Sequence, residues 1–209
     1  MSDELVFYTN PMSRGRIVRW MLEEVGAPYE QVLLDYGTTM KAPEYLAINP
    51  MGKVPAIVHR DKVVTECAAI CAYLADAFLE AELAPALDDR ADYYRWLFFA
   101  AGPLEAAITN NAMKWEAPPE RAQMLGYGSF EQTIDGLEHA IEGKQWVCGD
   151  RFTAVDVYLG AQIDWGLSFG TIPTRPSFEA YVGRLRARPA YKRQKEIDNA
   201  LIAEAKAKS

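Results

Sequence analysis

The chain has 209 residues, half of them hydrophobic and 24% charged. That composition suits one large domain or two small ones and excludes disorder for its bulk. Lys and Arg total 22 against 29 Asp and Glu, a net charge of −7, which speaks against a nucleic-acid partner.

The N-terminal sequence MSDELVFYTN has neither the basic region nor the small-residue cleavage site of a signal peptide. No apolar run approaches the roughly 18 residues of a membrane span. A cytoplasmic protein is expected. Cys67, Cys71 and Cys148 are odd in number and form no CxxC pair, so a disulfide framework is not expected. With only His59 and His139 beside them, neither is a metal site.

Leu5 to Tyr8 is a short apolar run ended by Thr9-Asn10-Pro11 and reads as a buried strand. Ile17, Val18, Met21, Leu22 and Val25 then recur at helical spacing, with Gly26 and Pro28 as stop signals. Tyr29 to Leu34 reads as a second strand. An irregular stretch from Asp35 to Asn49 holds a short helix around Pro43 to Ala47. Pro55 to Val58 and Val63-Val64 are two further strands, joined by a tight turn at Arg60-Asp61-Lys62. From Glu66 the helical period returns, with Ile70, Leu74 and Phe78 on one stripe. Strand, helix, strand, hairpin, helix predicts a small α/β sheet with a right-handed first crossover.

Residues 79–86 read as a linker, and from Leu87 the strand signals fade. Tyr93, Leu97, Ala101, Leu104 and Ile108 form one helical stripe. Ala117-Pro118-Pro119 ends that helix and starts another through Ile141. Further helices begin near Ala154, after Pro176 and after Pro189. Thr153-Ala154-Val155-Asp156 is a capping box, with Phe152 placed to staple onto Val157. The basic stretch from Arg184 to Lys195 reads as a solvated helix face.

Three features carry chemistry. Pro55 has no N–H for a strand ladder; a cis bond there would leave the Val54 backbone free to pair with an extended ligand. Thr65-Glu66-Cys67 runs from a strand into a helix, whose first N–H groups favour a carboxylate while Glu66 suits an ammonium group. Ser13 follows the first strand and opens the first helix, where a hydroxyl and the helix dipole can stabilise a thiolate. Taken singly, each is also a plain structural feature: a strand-opening proline, a capped helix, a capping serine.

Together these features, followed by an all-α half, resemble the cytosolic glutathione S-transferase family, and in particular its serine-type bacterial and fungal members. The resemblance spans the chain and rests on SRGRIVRWMLEEVG (13–26), NPMGKVPAI (49–57), TECAAICAYLAD (65–76) and GDRFTAVDVYLG (149–160). It implies a thioredoxin-like glutathione-binding domain at 1–80, an all-α domain at 87–209, and a homodimer. It implies that Val54 pairs with the cysteinyl part of glutathione beside a cis Pro55, and that Glu66 and Cys67 hold the γ-glutamyl end. Lys53 and Lys41 are implied as further polar contacts, Lys41 at the glycine carboxylate.

Ser13 is implied as the residue that hydrogen-bonds the glutathione sulfur, for attack on a hydrophobic electrophile. Arg14 and Arg16 are the other groups near enough in sequence to assist. Tyr8 suits the core. The second substrate is expected between the domains, among Met12, Asn110, Asn111, Met113, Trp115, Trp165 and Phe169. Cys67 stands where most relatives have serine, and a thiol is the weaker donor. In cysteine-type relatives the nucleophile falls on Arg14, which argues against thiol-disulfide chemistry here. Another glutathione-dependent enzyme (peroxidase, dehalogenase or isomerase) and a non-catalytic binder of glutathione or hydrophobic ligands are the alternatives.

Overall fold

The computed structural model describes residues 4–207. Its first part is a four-stranded mixed sheet in the order β2-β1-β3-β4. Strand β1 (Leu5–Thr9) buries Leu5, Phe7 and Thr9 on one face and half-buries Val6 and Tyr8 on the other, the alternation a strand with both faces covered requires. Helix α1 (Gly15–Val25) buries Ile17, Val18, Met21 and Leu22. It stops at Gly26, whose left-handed backbone (φ 68°) lets its N–H return to the Leu22 carbonyl. Strand β2 (Glu30–Leu33) is parallel to β1, and the short helix α2 (Pro43–Leu46) begins with proline in its first turn.

β3 (Ala56–His59) and β4 (Lys62–Thr65) form the hairpin. Arg60 and Asp61 both take positive φ, 51° and 62°, as a two-residue turn between twisted strands demands. β3 is antiparallel to β1, with Ala56 opposite Tyr8, and Thr65 of β4 is opposite Ala56. Helix α3 (Cys67–Ala77) follows. Phe78, expected on its stripe, lies just past its end and stacks on His59 at 5.5 Å.

The helical part departs from the sequence reading twice. Tyr93, Leu97 and Leu104 are buried, but Ala101 faces solvent while Ala100 and Ala107 turn inward. Seven residues, not eight, return a helix to the same face, so two successive steps of four carry Ala101 off it. A π-helical turn at Ala100–Leu104, holding Pro103, separates α4 (Ala91–Phe99) from α5 (Glu105–Met113). The helix expected from Pro119 to Ile141 is also broken. A 3-10 turn spans Pro119–Met124, and α6 (Phe130–Ile141) starts afresh. Gly128 at φ 70° interrupts the run. Ser129 and Gln132 then form a reciprocal capping box at 3.0 and 3.1 Å.

Helix α7 (Ala154–Phe169) starts with the expected Thr153–Asp156 box. The fully buried Asp156 accepts from the Val147 and Thr153 amides, both at 2.8 Å, and from the Tyr181 hydroxyl at 2.6 Å. Burial pushes its carboxyl pKa up and these hydrogen bonds oppose the rise. The Phe152 ring meets Trp146 edge-on at 5.0 Å. Helices α8 (Pro176–Ala187) and α9 (Pro189–Ala207) complete the chain.

By their contacts the residues divide into two compact units. One is the stretch from Ala84 to Arg186; the other joins everything up to Leu83 with everything from Ala187 onward. In the latter, α9 packs on α1. The basic stretch from Arg184 to Lys195 is solvated in part: Arg186, Lys192 and Arg193 are exposed, while Arg184, Arg188 and Lys195 are half-buried. Within the first of these units, Arg186 pairs with the buried Asp164 and Arg184 lies over the Tyr181 ring. Within the second, Arg188 grips Glu24 through two bonds of 2.7 Å and Arg193 reaches Glu23. The acidic partners Glu23 and Glu24 both lie on α1.

Candidate active site

The sheet register decides which residues share an end of the sheet. β1 finishes at Thr9 where β3 starts and β4 finishes, since Tyr8, Ala56 and Thr65 lie side by side across the three strands. The loop carrying Ser13, the Val54–Pro55 opening of β3 and the Glu66 exit from β4 therefore meet at one end of the sheet.

Ser13 is nearly buried, 8% exposed. Its hydroxyl donates to the Asn10 carbonyl at 2.7 Å and accepts from the Gly15 N–H at 2.9 Å. It thus serves the start of α1, as a capping serine does, and retains a second lone pair. Asn10 is held in turn by its own bond to the Leu34 carbonyl, 2.8 Å. Gly15 is required by close approach: a Cβ there would collide with Thr9 Oγ1.

The Val54–Pro55 peptide is cis. Among the described residues the Val54 backbone makes no hydrogen bond. The preceding Lys53 carbonyl is firmly held, by the Tyr45 hydroxyl at 2.5 Å and Asn49 Nδ2 at 2.8 Å. Burial pushes the Tyr45 pKa up to about 12, so it remains a donor throughout the physiological range. The Lys53 side chain is exposed. Lys41 Nζ donates to the Gly52 carbonyl at 2.8 Å and the Met51 carbonyl at 3.3 Å, which sets its ammonium beside the same loop.

Glu66 precedes α3 in a left-handed conformation, φ 66°, and its exposed side chain does not cap the helix. The expected capping role for Thr65 or Glu66 is therefore absent. Cys67 is 8% exposed, and its thiol points to the Arg14 carbonyl at 3.6 Å. That contact ties the start of α3 to the start of α1. Arg16 turns away, to Asn199 at 3.0 Å and towards Asp198 at 3.9 Å. Tyr8 packs against Tyr45 at 5.6 Å on the α2 side of the sheet, as its core assignment requires.

A hydroxyl, an unpaired backbone at the opening of β3 and a helix start without a side-chain cap share one end of the sheet, an arrangement that can receive an extended ligand carrying a carboxylate. Residues 4–76 match the family described as glutathione S-transferase, N-terminal domain. Glutathione S-transferase GstA of Escherichia coli O157:H7 is 28% identical over 165 residues, 77% of this chain and 78% of its own. The chain is similar to glutathione S-transferases over most of its length, and its residues 4–76 carry their N-terminal domain. The crystal structure of a glutathione transferase from Methylococcus capsulatus (Bath) matches it with a TM-score of 0.77 at 28% identity, over 94% of this chain and 99% of that one. A sphingomonad glutathione S-transferase solved in complex with glutathione matches with a TM-score of 0.74 at 26% identity, over 93% and 98%.

The residues expected around a transferase's second substrate are scattered. Met12 is 67% exposed, beside Ser13. Trp115, 62% exposed, and Asn111 line a cavity of about 460 Å³ with Lys114, Tyr127 and Phe130. Asn110 donates to the Tyr127 hydroxyl at 3.1 Å and so steadies one wall of it. Met113, at the end of α5, is 55% exposed. Trp165 is half-buried on α7 and meets Phe169 edge-on at 6.3 Å. Tyr45, Asn49 and Thr9 are the site residues that sequence reasoning missed. NPMGKVP carries Asn49 in plain view, but nothing local shows that its amide and a tyrosine of α2 converge on one carbonyl.

Proposed function

We propose that the protein is a glutathione transferase in which Ser13 stabilises the glutathione thiolate for attack on a hydrophobic electrophile. The observation that carries this reading is the placement of Ser13 at the same end of the sheet as the unpaired Val54 backbone. The cysteinyl backbone of glutathione pairs with Val54, beside the cis Pro55. The γ-glutamyl group lies at Glu66 and the uncapped start of α3, where the amides take its carboxylate and Glu66 its ammonium. Lys41 and Lys53 face the glycine end with positive charge.

The chemistry asks little of the protein. A free thiol has a pKa near about 8.5, so few thiolates exist at neutral pH. One hydroxyl donor and the positive end of α1 lower that value, and each unit is about tenfold in thiolate. Ser13 turns its proton from the Asn10 carbonyl to the sulfur as it does so. The thiolate then forms a carbon–sulfur bond and the electrophile's leaving group departs, or a double bond takes up the electron pair. Cys67 acts through its backbone, because its thiol is turned to Arg14.

A homodimer belongs to the same proposal. Leu87, Tyr94 and Phe98 are 82%, 44% and 70% exposed, and Tyr94 and Phe98 repeat at helical spacing along α4, an apolar face of the kind that subunits cover. So does a cytoplasmic setting, which suits three cysteines in no disulfide. In the proposed division, 1–80 binds glutathione and 87–209 supplies the helices, with α9 packed back on α1. Conjugation of glutathione to a panel of hydrophobic electrophiles tests the reading. At least tenfold lower turnover in Ser13→Ala, with glutathione still bound, supports it; turnover equal to wild type refutes the role of Ser13.

A further inference from the structure

Thr9, the last residue of β1, is fully buried, and its hydroxyl has no hydrogen-bond partner among the described residues. An orphaned hydroxyl in a protein interior calls for a physical explanation. Its surroundings supply one. The position that a Cβ on Gly15 would take lies against Thr9 Oγ1 and 3.0 Å from Ser13 Oγ. Two hydroxyls therefore converge on the bare face of Gly15, one of them partnered and one not.

Ser13 has one proton and two lone pairs. The proton goes to the Asn10 carbonyl and one lone pair takes the Gly15 N–H. The second lone pair is left open. We infer that Thr9 is a positioning residue for Ser13: its hydroxyl donates to that lone pair when Ser13 turns its own proton towards the glutathione sulfur. This rests on the role proposed for Ser13. Filling both lone pairs of a hydroxyl polarises its O–H bond and strengthens it as a donor. It also fixes the rotor, so that the proton points at the sulfur rather than sweeping past it. Thr9 never touches glutathione. The absence of a side chain at Gly15 is what lets the two hydroxyls approach.

The test compares Thr9→Val, which keeps the shape and removes the hydroxyl, with Thr9→Ser, which keeps the hydroxyl. Thr9→Ala serves as a second hydroxyl deletion should valine disturb the fold, and Ser13→Ala is the reference. The readout is the pH titration of thiolate absorbance for bound glutathione, with the glutathione Kd and a thermal melt alongside. Thr9→Val or Thr9→Ala is expected to leave about two- to tenfold less thiolate at neutral pH, with Kd changed less than about twofold. Thr9→Ser restores the wild-type titration. A merely structural threonine would move the melt and leave the titration alone. A wild-type thiol pKa in both deletions, while Ser13→Ala raises it, overturns the inference and spares the proposed function. An unchanged pKa in Ser13→Ala overturns both.

Discussion

Arg19 and Asp198 lie 179 positions apart and meet in a 2.7 Å hydrogen bond, each about 1% exposed at the side chain. The rest of the guanidinium is used as well, on the Tyr29 hydroxyl and Gln31 Oε1, both at 2.9 Å. The second carboxylate oxygen accepts from Gln194 at 2.7 Å. The pair pins α9 to α1 and to the start of β2. It thereby holds from behind the helix whose front end carries Ser13.

Removing one partner leaves an uncompensated buried charge. Asp198→Ala is expected to cost about 3 to 5 kcal/mol in urea unfolding. The double variant Arg19→Met, Asp198→Leu is expected to be more stable than Asp198→Ala alone, since neither charge is then buried. A single variant within 1 kcal/mol of wild type would show that the pair does not hold α9.

Gly15 leaves no room for a side chain. Gly15→Ala sets a methyl group against Thr9 Oγ1, and overpacking of this kind costs about 1 to 3 kcal/mol. Glutathione affinity is expected to fall with it, because the same methyl group lies 3.0 Å from Ser13 Oγ. Adding Thr9→Ala should return part of the lost stability. An additive double-mutant cycle would show that the two positions do not touch.

Asp156 anchors α7 by accepting four buried donors. Asp156→Ala orphans the Val147 and Thr153 amides and the Thr153 and Tyr181 hydroxyls, a loss of about 3 kcal/mol or more. Thr153→Ala removes the capping hydroxyl alone and is expected to lose about 1 kcal/mol. Thermal melts give the order, and equal effects would contradict it.

Cys148 is expected to be inert in the folded protein. Burial, then the negative charge of Asp156, pushes its thiol pKa up to about 11. An ordinary thiol near about 8.5 is roughly a quarter ionised at pH 8, whereas one near 11 is about 0.1% thiolate. Alkylation by iodoacetamide, read at the Cys148 peptide, should be about 200-fold slower before unfolding than after. The raised value means that the unfolded chain gives up this proton first. The protonated thiol's contribution to stability is therefore full at neutral pH and is lost as pH rises from about 9 towards 11. Equal rates in the two states would show that the thiol is open to solvent.

What the sequence makes legible is local. β1, α1, the Arg60-Asp61 hairpin and the Thr153–Asp156 box all lie within a few residues of their own signals, in periodicity, turn chemistry or spacing. Ser13, Val54 and Glu66 each have a local signature too, and their convergence follows once three strands are set in register. Arg19 is different. Nothing near it marks it as buried, because its partner waits in the last helix and paired charges leave no periodic trace. The pairing of Arg188 with Glu24 is hidden for the same reason. Thr9 reads as a turn residue, and only the packed structure shows a buried hydroxyl beside Ser13. Ala101 falls one residue off the buried stripe, because the stripe drifts and a π-helical turn follows Phe99.

As proposed, this site activates a thiol. Its most direct test is the pH titration of ultraviolet thiolate absorbance for glutathione bound to the wild-type protein and to Ser13→Ala. An apparent pKa well below about 8.5 in the wild type, raised by a unit or more in the variant, is the predicted result. Saturable binding with an unshifted pKa in both would contradict it and leave a site that holds glutathione without activating it.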